Sequence, residues 1–183
     1  MHLECWNSAR DPESKQLDTI VISQALQKTA SESPLFADLT HEVTTSLLEA
    51  ASSRQVPKGA VVFHQGDPPD HLLQIASGLV KVTQIDQQGA QTTLRILGAG
   101  ELIGCVAVFQ QIPYPATATT IEDTTVLAWA APHFLEMMGR HPILTENSLR
   151  IVGNRAKEMV ERVVAMTGKR VEQRIADRKS TRL

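Results

Sequence analysis

Between positions 53 and 129 the chain reads as short apolar runs rich in Val, Ile and Thr, punctuated by glycines at 59, 66, 78, 89, 98, 100 and 104. The runs at 60–63, 71–75, 79–85 and 91–97 are predicted strands, several of them alternating by side chain. Gln87-Gln88-Gly89 falls where a hairpin turn belongs, and residues 117–129 supply two more strands around a turn at Glu122-Asp123. Strands this short at this spacing argue for an antiparallel sandwich or barrel. Residues 98–109 interrupt the alternation, and 104–111 read as one or two helical turns inside the barrel. Such a turn exposes backbone amides to the interior, a natural ligand site.

Helical periodicity flanks this block. Val43, Leu47, Leu48 and Ala51 repeat at helical spacing after Thr40, a good N-cap, so a helix is predicted over 41–51. Ala131-Pro132 opens a short helix over 133–140, and Pro142 opens a long one. In the long helix Leu149, Val152, Ala156, Met159, Val163 and Met166 recur at alternating spacings of three and four, the seam of a helix that pairs with another. Gly168 is predicted to break it, with a further helical pattern from Lys169. Residues 1–33 are polar and mixed, with an apolar cluster at 17–26, and read as a loosely attached leader.

Composition adds bounds. With 183 residues, 42% hydrophobic and 21% charged, the chain is long enough for one domain plus an appendage. Its apolar runs are far shorter than the ~20 residues of a membrane helix, and its first residues lack a signal-peptide core. Cys5 and Cys105 form neither a disulfide framework nor a CxxC site, which fits a reducing cytoplasm. The net charge of −2 hides an asymmetry: residues 1–132 carry a balance of −7 and 133–183 a balance of +5. An offset of this kind marks either a solvated helix face or an end that faces nucleic acid.

Three runs carry a resemblance: Phe63-His64-Gln65-Gly66-Asp67, Ile75-Ala76-Ser77-Gly78-Leu79-Val80-Lys81-Val82 and Gly100-Glu101-Leu102-Ile103-Gly104. Gly66 and Gly78 suit turns of positive φ. In this order, after a leading helix and before a heptad helix, they resemble the barrel signatures of the CRP/FNR family of bacterial transcription regulators over residues 34–176. The resemblance implies an α+β fold: an antiparallel double-stranded β-helix, or jelly-roll barrel, of the cyclic nucleotide-binding type, with an N-terminal helix and a long C-terminal dimerisation helix. It implies a leader at 1–33, a sensing barrel at 34–141, a dimer helix at 142–167 and, at 168–183, the stub of a helix-turn-helix domain missing from this chain. The expected partners are a second copy, a small-molecule or gas effector, and DNA only through that missing domain; no membrane is expected.

Members that bind cyclic nucleotides hold the phosphate with Arg beside Ser or Thr, and the ribose with a Glu. Those positions fall here on Tyr114, Pro115 and Cys105, which offer neither cation nor carboxylate, and no Lys or Arg lies between Arg95 and Arg140. A buried cyclic phosphate would lack a local positive partner. A [4Fe–4S] cluster needs four cysteines, so none is expected. The run Ile112-Pro113-Tyr114-Pro115-Ala116-Thr117-Ala118 resembles nitric-oxide-responsive members instead. The expected pocket comprises Glu101, Leu102, Ile103, Gly104, Cys105, Val106, Phe109, Tyr114, Pro115, Ala116 and Thr117, with Val108 beside them. It would suit a haem, for which Cys105, His2, His64 and His71 are candidate ligands. Cys105 lies one position beyond the haem thiolate of a carbon-monoxide-sensing relative. The alternatives are a cyclic-nucleotide regulator and a sensor-only binding protein without DNA function. A cupin-type enzyme would need a His-x-His pair with a following Glu, whereas His64 and His71 are seven apart.

Overall fold

In the computed structural model the backbone is described for residues 30–180 and side chains for 30–165. The apolar cluster at 17–26, His2 and Cys5 lie outside the described residues. A short 3-10 turn, Pro34–Phe36, precedes helix α1 (His41–Glu49), whose N-terminus is capped by Thr40: its side chain accepts the N–H of Val43 at 3.4 Å. Eight strands follow: β1 (Ser52–Val56), β2 (Val61–Phe63), β3 (His71–Ser77), β4 (Val80–Ile85), β5 (Gln91–Leu97), β6 (Leu102–Ile103), β7 (Thr117–Thr120) and β8 (Thr124–Ala130). Helix α2 (Cys105–Gln110) lies between β6 and β7, and α3 (Ala131–Arg140) and α4 (Pro142–Ser180) close the order.

The strands form two four-stranded antiparallel sheets, ordered β1-β8-β3-β6 and β2-β7-β4-β5. Two such sheets packed face to face make a jelly-roll, the architecture that the family resemblance implied. Its core lies between the sheets, with Val56, Leu73, Ile75, Ile103, Val126 and Ala128 from one and Val62, Val80, Leu97 and Ala118 from the other. The outer face of the first sheet is buried as well. The Trp129 indole donates to the Leu47 carbonyl of α1 at 2.7 Å, and Phe134 of α3 packs on the same ring at 5.9 Å. Burial on both faces explains why β3 reads as a nearly continuous apolar run.

Two sequence expectations are revised, and one strand was not anticipated. Strand β1, Ser-Ser-Arg-Gln-Val, is too polar to stand out, because it is an edge strand supported by β8 alone. Gly168 does not break the long helix, which runs unbroken from Pro142 to Ser180. A glycine inside a helix costs about 1 kcal/mol, too little to end one flanked by Lys, Arg, Glu and Gln. The leader is not loose at its end. Ala30 is fully buried, its carbonyl accepts the Gln74 side chain at 3.4 Å, and Ser33 is buried too. The chain divides into two compact units, one ending at Asn147 and one beginning at Ser148.

Candidate effector-binding site

The expected pocket segment is built from backbone turns. Glu101 folds back so that Oε2 accepts the Gly98 N–H at 2.8 Å, while Oε1 lies 3.6 Å from Nη2 of Arg95. Two residues of β6 follow, and Gly104, at φ +77°, starts α2. Helix α2 ends at Gln111, also left-handed at φ +54°, whose N–H returns to the carbonyls of Ala107 and Val108. The chain then reverses into Tyr114.

Tyr114 is the centre of this region. Its ring stacks on Phe63 with centroids 3.8 Å apart, and a Cβ on Gly104 would lie 2.6 Å from its Cε1. Its hydroxyl donates to the His71 carbonyl at 2.6 Å and accepts the His71 N–H at 3.4 Å. Its backbone N–H donates to Asp67 O and its carbonyl accepts from Gly66, so it ties the 64–67 turn to the start of β3. Burial, the largest cause, pushes its phenol up to about 12, with the charges of Asp70 and Asp67 acting the same way against the bond to His71. The phenol stays neutral at physiological pH and offers an anion no charge.

The expected pocket residues are not all brought together. Ile103 faces the inter-sheet core, but Leu102, its neighbour on the strand, pairs opposite Gln74 and faces the helical side. Phe109 is half-buried against Phe134 of α3, at 6.3 Å. Cys105, Ala107 and Val108 are buried, Val106 is half-buried, Pro115 is exposed, Ala116 is buried, and Thr117 accepts the Gln65 N–H at 2.9 Å. Among the candidate haem ligands, Cys105 is wholly enclosed and His64 sits on the exposed 64–67 turn. His71 is half-buried at the start of β3, two residues from Leu73 and on its face. Its pKa is lowered, first by burial and then by Arg54, against the opposing charge of Asp70. A neutral imidazole is the form that ligates iron.

Arg95, Val82 and Phe63 fall outside the expected pocket. Arg95 pairs opposite Val82, and both Val82 and Phe63 are partly buried against the core. The alternation of β5, with Leu97 inward, held the signal. Among the described residues, no three His, Cys, Asp or Glu side chains are grouped to hold a metal ion, and no helix is long and apolar enough to cross a membrane.

Residues 53–141 match the cyclic nucleotide-binding domain family. The chain is similar to the cyclic AMP receptor protein of Thermus thermophilus, 32% identical over 126 residues that make up 69% of this chain and 58% of that protein. It thus spans less than two thirds of that relative's length. Among solved structures, the catabolite activator protein of T. thermophilus superposes with a TM-score of 0.67 at 30% identity, covering 74% of this chain and 63% of that one. The N-terminal domain of a transcriptional regulator from Streptomyces coelicolor superposes at 0.59 with 29% identity, covering 72% of this chain and 94% of that one. Residues 53–141 are therefore a domain of the cyclic nucleotide-binding family, and CRP-like regulators are among its relatives.

Proposed function

We propose that the chain is the sensing and dimerisation part of a cytoplasmic CRP/FNR-type transcription regulator, not an enzyme. The observation that carries this reading is a row of solvent-facing apolar side chains on α4: Leu149 at 64%, Met159 at 61% and Val163 at 54% exposure. Val152 is half-buried and Ala156 exposed, while the side chain of Met166 lies outside the described residues. Apolar residues left in water at heptad spacing are stabilised by a second copy of the same helix. In this reading DNA is contacted through a helix-turn-helix domain outside residues 34–176, and effector binding in the barrel shifts the helix pairing.

The effector is a small molecule other than a cyclic nucleotide. Tyr114 and Pro115 stand where cyclic-nucleotide members place their phosphate ligands, and the Tyr114 hydroxyl is committed to the His71 backbone. Haem remains the favoured ligand, and the residues present fit it in one respect: His71 is a half-buried, neutral donor, whereas Cys105 is enclosed. His71 would hold the iron, which when bound supplies a site for a diatomic gas such as nitric oxide.

Titration with haem, followed in the Soret region, tests this. One haem per chain is expected, with the band altered in His71→Gln and unchanged in Cys105→Ala. Thermal stabilisation by cyclic AMP in place of haem binding would reverse the assignment in favour of the cyclic-nucleotide reading.

A further inference from the structure

Arg95 stands on β5 directly opposite Val82 of β4 and two residues before Leu97. Leu97 is part of the inter-sheet core and Val82 lies at its margin, so alternation puts Arg95 on the same inner face. The register slips immediately beyond this pair, where Thr83 meets Thr93. Bulges of this kind re-aim side chains and are common beside binding sites. The Arg95 side chain is only 22% exposed, and Glu101, fixed to the 98–101 turn through Gly98, holds a carboxylate oxygen 3.6 Å from the guanidinium. Phe63, another partly buried residue on the core margin, presents an aromatic ring stacked on Tyr114.

A guanidinium on the rim of an apolar core, with the Glu101 carboxylate 3.6 Å away, suits a ligand with an apolar body and an anionic end. We infer that Arg95 is the anion anchor of the effector site, and that the effector carries a carboxylate whose apolar body lies against Val82 and Phe63. This deepens the sensor reading above and rests on it. A haem propionate and a free aliphatic carboxylate share this chemistry. The anchor lies on β5, away from the Tyr114-Pro115 positions at which the family resemblance places a phosphate.

Four probes test it on the full chain by calorimetric titration: haemin, haemin dimethyl ester, octanoate and octanol. At least one acid is expected to bind ten-fold or more tighter than its uncharged counterpart. Arg95→Gln is expected to abolish that preference, and Arg95→Lys to keep part of it. A preference in the haemin pair alone identifies a propionate, and one in the octanoate pair alone identifies a free carboxylate. Equal binding of acids and uncharged counterparts leaves the sensor reading standing and overturns the anchor, as does a preference that survives Arg95→Gln. If none of the four binds, the anchor and the ligand reading fall together. The comparison of acid with ester uses the unaltered protein, so it decides even if Arg95→Gln does not fold.

Discussion

The hydroxyl of Tyr114 is bound to both backbone polar groups of His71, donating to its carbonyl at 2.6 Å and accepting its N–H at 3.4 Å. One side chain thereby pins the loop after α2 to the first residue of β3. A side chain so engaged, and neutral because burial opposes its ionisation, holds the site in shape and has its one donor proton committed to the backbone.

Tyr114 is the sole tyrosine of the chain, so its ionisation can be read directly. Tyrosinate absorbance in the folded protein should rise with a midpoint of about 12, against the ordinary value of 10.0 in denaturant. The sign for stability follows. Between these values the unfolded chain releases its proton first, so stability is intact below 10 and falls as pH rises toward 12. A folded-state midpoint near 10 would refute the burial.

Removing the hydroxyl with Tyr114→Phe leaves the ring stacked on Phe63 but strips the buried partner from His71. The expected loss is about 1–3 kcal/mol in urea denaturation. A loss below about 0.5 kcal/mol would mean that water replaces the hydroxyl without cost.

Gly104→Ala meets two obstacles at once. Its φ of +77° is unfavourable for an L side chain, and the new methyl would sit 2.6 Å from the Tyr114 ring. Together they should destabilise by about 2–4 kcal/mol. Gly59→Ala, at φ +80° but with open space around it, should cost distinctly less. Equal losses would remove the steric part of the explanation.

Met159→Glu places a charge in the exposed row on α4 and should yield monomers in sedimentation equilibrium, whereas Asn154→Glu, off that row, should remain dimeric. A wild-type monomer, or a dimer indifferent to Met159→Glu, would sink the pairing of α4 with a second copy.

Much of the barrel was legible from local pattern. Strands β3, β4, β5, β7 and β8, the short helix α2 and the Thr40 cap carry their own signals in apolar spacing and turn residues. The Asp86–Ala90 turn of the β4–β5 hairpin does too: Asp86 accepts the N–H groups of Gln88 and Ala90, and Gly89 supplies the positive φ. Strand β1 and the two-residue β6 were not legible, because what makes them strands is the partner across the ladder, β8 for one and β3 for the other. Gly168 misled for the complementary reason: its small local penalty is outweighed by the helix on either side.

The candidate site divides in the same way. From residue types and spacing alone, the sequence determined an antiparallel sandwich or barrel and the position of the helical interruption, and the family resemblance added the jelly-roll class and the expectation that Tyr114 and Pro115 stand at the phosphate positions. Only the tertiary structure decided that Leu102 and Ile103 face opposite sides, that Phe109 packs on Phe134, and that Arg95, outside the expected segment, reaches the core margin opposite Val82. Which residues share a site is set by strand register and sheet closure, contacts between positions far apart in the chain, and no local spacing encodes them.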